Sequence, residues 1–347
     1  LFHYEVQNRR YIPIFDRDLG HTPLTRIPLP MGKYLLRLTV GHAPPVAYPV
    51  HIGRQEHWDG RSPVDDSLRA VPIPRAAELG HDDCYVPAGW FWAGGDNEKT
   101  TALPWRRLWC DGFVIRRHPV TNTEYLDFLN DLLQQGSTEE ALRCAPRERP
   151  GSADQDGAVV YGFDQKSFFL RPDADGDLWE PDWPVLMVDW YSAMTYCRWL
   201  GKKTGLSWRL PLELEWEKAA RGADGRLYPW GDWLDPSWCC MRESHREQAL
   251  PCAVDAFPID ESPYGVCGMG GNVRDWCLDS VDSQGNIVGD RVVLPLSIPE
   301  PGPNDRFVER GGYWFCKTAG IASNQRSIDA ANFRYVSLGF RLARSYP

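Results

Sequence analysis

The sequence predicts an α+β fold with much irregular structure, preceded by a small all-β domain. Three observations carry this. The first ~50 residues hold short aromatic and β-branched runs between turn signals, as edge-rich sheets do. Further along, only three stretches place apolar side chains at helical spacing between recognisable caps. The rest is punctuated by many of the chain's 31 Gly, 29 Pro and 16 Trp, a composition that suits a loop-rich fold held by large aromatic plugs.

The all-β portion rests on Tyr11–Phe15, Lys33–Val40 and Tyr48–Ile52 as strands. Asp18-Leu19-Gly20, Pro30-Met31-Gly32 and Gly41 to Pro45 separate them. Pro28, Pro30, Pro44 and Pro45 cannot donate to a ladder and belong at ends or edges. The phrase Leu29-Pro30-Met31-Gly32-Lys33-Tyr34 before a strand resembles the β-sandwich PEGA-like domains of bacterial envelope and kinase proteins, which implies a spacer or docking module. Residues 54–83 are polar and broken by Gly60, Pro63, Pro72 and Pro74. The expected division is a small module and linker over 1–80 and a larger domain over 81–347.

In the larger part, Tyr85 to Phe91 and Phe113-Val114-Ile115 read as strands. Thr121 or Asn122 can cap a helix whose Tyr125, Phe128, Leu129, Leu132 and Leu133 share one face. Gln134 to Asp182 is a polar excursion. Its Asp173 to Asp177 run resembles the start of a calcium loop, but position twelve would be Pro184, so a solvated turn is expected. A second helix is predicted from Val188 through Leu200, closed by Lys202, Lys203 and Gly205. A third starts at Pro211 and ends at Gly222. Its Glu213 and Glu215 could serve as an acid–base pair; their place in the first turn, with Lys218 and Arg221 in the last, is explained by the helix dipole. An irregular stretch follows, with Val254 to Pro258 as a short strand and four glycines within Tyr264 to Trp276. That window is no dinucleotide loop, because no βαβ pattern surrounds it.

The last stretch, Arg310 to Arg344, has patterned ends and an unpatterned middle. Arg310-Gly311-Gly312-Tyr313-Trp314 opens it, and Val336 to Leu342 alternates as a half-buried strand does. The residues between follow neither period, so a surface loop on a rigid frame is expected, which is where binding sites tend to sit.

Composition excludes several functions. The net charge of −9 and the lack of a basic stripe argue against nucleic acid. No apolar run reaches the ~18 residues of a membrane span. The ten cysteines form no CxxC pair and no zinc spacing with histidine. Free, mostly buried thiols in a reducing cytoplasm are expected, with one or two disulfides as the alternative. The chain begins Leu-Phe-His without Met, so a fragment or a processed protein is expected.

From about residue 84 onward the chain resembles the formylglycine-generating-enzyme/sulfatase-modifying-factor (FGE-sulfatase) family, which has a C-type-lectin-like fold. The carriers are Val86-Pro87-Ala88-Gly89, Pro119 to Tyr125, Pro184-Val185 through Leu200, and Arg209 to Glu217. Tyr228-Pro229-Trp230-Gly231, Tyr264-Gly265 through Trp276, Arg310-Gly311-Gly312 and Gly339-Phe340-Arg341-Leu342 complete the set. The resemblance implies that catalytic members hold copper between two cysteine thiolates, a soft Cu(I) site. Cys316 stands where the first would be; position 321 is Ile321, and no cysteine follows. Relatives that join sulfur to histidine derivatives carry an HxxxHxE set, which is absent here. The family's calcium site usually has Asn or Asp where Gly268 stands, while Asp275 keeps the acidic partner. No cofactor is therefore expected, with calcium as the one candidate.

Two branches of the family lack this chemistry: domains at the C-terminus of bacterial Ser/Thr kinases, and variable proteins of diversity-generating retroelements, whose randomised Asn codons yield a characteristic residue set. Most unpatterned residues between Tyr313 and Ser337 belong to that set. The expectation is a non-catalytic, ligand-binding display domain, with fusion to a kinase domain in the full-length protein as an accompanying expectation. Its surface would comprise Tyr313, Phe315, Cys316, Thr318, Ile321, Ser323, Asn324, Asp329, Asn332, Phe333 and Tyr335, with Trp314 as a buried plug beneath. Aromatic and small polar side chains together give contact area and adaptable hydrogen bonding, which suits a protein or peptide ligand. The alternatives are a metal-dependent oxidase acting on a cysteine substrate, and a sensor or regulatory tail of a kinase.

Overall fold

The computed structural model describes residues 1–58, 60–95, 102–148, 157–173, 176–283, 285–298, 301–302 and 305–346. Strands β1 (Phe2–Gln7), β2 (Arg10–Phe15), β3 (Gly32–Leu38) and β4 (Val46–Ile52) form one antiparallel sheet in the order β2-β1-β3-β4. The sequence reading missed β1, because the β1–β2 hairpin turns through Asn8 and Arg9 rather than through a glycine; both residues take positive φ, 49° and 63°. The sandwich expected here is a single sheet among the described residues. What lies against it comes from later in the chain: Trp233 meets Tyr11 edge-on at 6.0 Å, and the Arg226 guanidinium sits 4.6 Å from the Tyr4 ring centroid. Tyr11 N also donates to Trp230 O at 2.8 Å.

The larger part opens with β5 (Asp83–Val86), β6 (Gly89–Ala93), β7 (Arg106–Cys110) and β8 (Phe113–Arg116). Helix α1 (Asn122–Gln134) starts in a capping box: Glu124 N donates to Thr121 Oγ1, and Thr121 N donates back to Glu124. The excursion after it holds a helix the sequence did not signal, α2 (Thr138–Cys144), and a two-strand ladder of β9 (Gly162–Phe163) and β10 (Phe168–Phe169). The acidic run lies partly outside the described residues; Asp173 accepts from Asp177 N and from Trp179 Nε1, a turn closed on itself. Helix α3 (Trp190–Thr204) is capped by Asp189 and ends at Gly205 in the left-handed conformation.

Helix α4 (Glu213–Arg221) is the centre of the fold. Every one of its residues is buried. It packs against β6, β7, β11 (Arg274–Ser280) and β14 (Arg306–Arg310). Two short strands, β12 (Ile287–Val288) and β13 (Arg291–Val292), extend the β6–β7 sheet. The remaining strands are β15 (Arg326–Ala330), β16 (Leu338–Gly339) and β17 (Ala343–Ser345). They give a sheet ordered β15-β14-β11-β16, and a second in which β17 pairs with β8 beside β5. The last strand thus locks the domain's end to its beginning. The short strand expected at Val254 is a series of turns. The middle of the final stretch is also not wholly loop: β15 pairs with β14 residue for residue from Arg306↔Ala330 to Arg310↔Arg326. Its half-buried residues hid the strand period. No described helix is long and apolar enough to cross a membrane.

Candidate ligand-binding surface

The candidate surface begins where β14 ends and resumes where β15 starts. At its base stands a carboxylate clamp. Arg310 and Arg326 face each other across the ladder, an arrangement that is repulsive on its own. Glu213 of α4 resolves it, accepting from Arg310 Nη2 at 2.8 Å and from Arg326 Nη2 at 2.9 Å. Glu217 lies 3.1 Å from Arg310 and pairs with Arg221 at 2.6 Å. The acidic and basic residues of α4 are therefore internal partners of the frame, not a solvent-facing complement to the dipole. The chain then turns at Gly311, φ 100°, and passes so close to Gly270 that a Cβ on Gly312 would lie 2.3 Å from Gly270 O.

Beyond the turn, Trp314 N donates to Asn272 O at 3.0 Å and Trp314 Nε1 to Val336 O at 2.8 Å. The indole, half-buried, ties the outgoing and returning arms together. Around it lies a run of partly exposed aromatic rings. Tyr313 meets Phe315 edge-on at 4.5 Å, Phe315 meets Tyr335 at 6.1 Å, and Tyr335 stacks with Phe333 at 5.8 Å. The Arg274 guanidinium sits 4.7 Å from the Tyr313 centroid. Arg334 anchors the returning arm, donating to Asp189 at 2.6 Å, the same carboxylate that caps α3. Thr318 and Asn332 are exposed at the periphery.

Four of the residues expected on this surface are inside. Exposure is 4 % for Cys316, 0 % for Ile321, 0 % for Ser323 and 5 % for Asn324. Cys316 and Ile321 share an apolar cluster with Tyr228, Trp230, Trp238 and Met241. Burial pushes the Cys316 thiol up, against a smaller opposing effect of Arg274. Ile321 puts an apolar side chain where a second thiolate would be needed, so the residues present do not fit an ion held by two cysteines. Asp275, the proposed calcium partner, is fully buried; its Oδ2 accepts from Arg341 Nε at 2.6 Å and Trp216 Nε1 at 2.8 Å. Asp329 is half-buried beside Glu309, whose carboxyl is raised to about 8, chiefly by burial and further by Asp329. Arg274 and Arg334 partner the aromatic patch without any local sequence signal for that role, since each reaches it only through the tertiary fold.

The family model of the sulfatase-modifying factor enzyme 1-like domain matches residues 69–346. The uncharacterized protein YfmG of Bacillus subtilis is 28% identical over 76% of this chain and 54% of its own length; the chain thus spans about half of that relative. The formylglycine-generating enzyme of Bos taurus is 28% identical, over 75% of this chain and 74% of the enzyme. The inactive C-alpha-formylglycine-generating enzyme 2 of Mus musculus is 26% identical, over 80% and 91%. Among solved structures, Treponema denticola variable protein 1 superposes with a TM-score of 0.51 at 20% identity, over 76% of this chain and 95% of that one, a likeness of fold.

Proposed function

This chain belongs to the sulfatase-modifying factor enzyme 1-like family, and from that premise we propose that it is a non-catalytic binding domain whose 313–335 surface takes a protein or peptide ligand. The observation that carries the reading is the continuous run of partly exposed rings, Tyr313, Phe315, Tyr335 and Phe333, on a base fixed by Glu213. Aromatic side chains with few rotamers lose little entropy when they bind, and an immobile base adds preorganisation. The position of Ile321 supports a binding role over copper-dependent oxidation, and the family includes relatives described as inactive as well as enzymes.

The test is selection of a displayed peptide library on the immobilised chain. Enriched peptides are expected to lose at least tenfold in affinity on a Phe315→Ser/Tyr335→Ser variant that melts near the parent temperature. Peptides that bind parent and variant equally would place recognition elsewhere.

A further inference from the structure

The ten cysteines contain one pair that the surface above does not use. Cys252 stands close enough to Cys240 to be the largest cause, ahead of burial, of the rise in its thiol pKa. Asn272 holds their backbones: its N–H donates to Cys240 O at 2.8 Å, while its side chain accepts from Cys252 N at 3.1 Å and donates to Cys252 O at 2.9 Å. Three hydrogen bonds from one residue thus fix the spacing of the two cysteines. His245 Nε2 lies 3.5 Å from Cys240 Sγ, on the loop that joins the pair. Cys252 is partly exposed and Cys240 is buried, so an incoming reagent meets Cys252 first.

We propose that Cys240 and Cys252 form a reversible disulfide, and that the site reacts with low-molecular-weight disulfides of the glutathione type. The Cys252 thiolate attacks one sulfur of the reagent and releases one small thiolate, leaving a mixed disulfide. The Cys240 thiol then loses its proton to solvent, and its sulfur attacks the Cys252 sulfur, expelling the second small thiolate. Two protein thiols and one small disulfide become one protein disulfide and two small thiols. The bond closes the loop 241–251, whose Arg242 N donates to Cys316 O at 3.1 Å. Oxidation would therefore fasten a segment that abuts the aromatic surface.

The experiment incubates the purified chain with oxidised glutathione, blocks residual thiols by alkylation, and maps disulfide-linked peptides by mass spectrometry. A Cys240–Cys252 link is expected, lost on Cys240→Ala and on Cys252→Ala and reversed by reduced glutathione. Because Cys239 and Cys267 travel in the same proteolytic peptides, Cys239→Ala and Cys267→Ala serve as controls that must keep the link. Glutathione adducts without an internal link, or a link that survives Cys240→Ala, would overturn the proposal.

Discussion

Arg310 donates to Glu213 at 2.8 Å with both side chains fully enclosed, and the same carboxylate holds Arg326 on the facing strand at 2.9 Å. One helix residue thus fixes both ends of the segment that carries the aromatic surface. Removing one partner of a buried ionic set leaves uncompensated charge and costs about 3–5 kcal/mol. Glu213→Gln is expected to lower stability by an amount in that range, read as a fall in the urea midpoint. Arg326→Met, at the more accessible corner of the clamp, is expected to cost less.

Glu309 supplies a pH dependence with a defined sign. Its carboxyl is raised to about 8 in the fold, first by burial, with Asp329 adding to the rise and Arg274 opposing it. The unfolded value is near ~4.3. Below that both states hold the proton and the group contributes its full share of stability. As pH rises toward about 8 the unfolded chain gives up the proton first, and that share is lost. Urea midpoints of the parent minus those of Glu309→Gln should therefore fall between pH 5 and pH 8.5. A flat difference would remove Glu309 from the account.

Gly320 is the position where packing against the lone thiol can be read directly. A Cβ there would lie 2.2 Å from Cys316 Sγ. Gly320→Ala is expected to cost roughly 1–3 kcal/mol by overpacking, and Cys316→Ala in the same chain to recover most of it. A double-mutant cycle in thermal unfolding measures that coupling.

The copper chemistry of the family has a separate check. Cys316 is buried beside Ile321, so the purified chain is expected to form no aldehyde on a cysteine-containing peptide. Mass spectrometry of the peptide after incubation with Cu(I) and oxygen reads this. Oxidised peptide would reinstate the enzymatic reading.

Much of the frame was legible in local sequence. Thr121 as a cap, and Lys202 with Gly205, are signals within one helical turn, and α1 and α3 stand where they point. The role of α4 was hidden, because its charges look like those of a surface helix until Arg310 and Arg326 arrive from elsewhere in the chain. The surface was legible only in part for the same reason. Tyr313 and Phe315 stay partly exposed, whereas Ile321, Ser323 and Asn324 turn inward, and no local period separates the two groups. The pairing of β14 with β15 set that division, and pairing between strands is a long-range property.

The central claim is that a changeable surface rests on a fixed frame. It is tested most directly by replacing Tyr313, Phe315, Thr318, Asn332, Phe333 and Tyr335 together with Ser. Trp314, Cys316, Ile321, Ser323 and Asn324 stay as they are. Melting temperature and affinity for a library-selected peptide are then measured on the same preparation. The account predicts a melting temperature within about 5 °C of the parent, which corresponds to roughly 1–2 kcal/mol, together with loss of peptide binding. A chain that no longer folds, or one that folds and still binds the peptide, would contradict it.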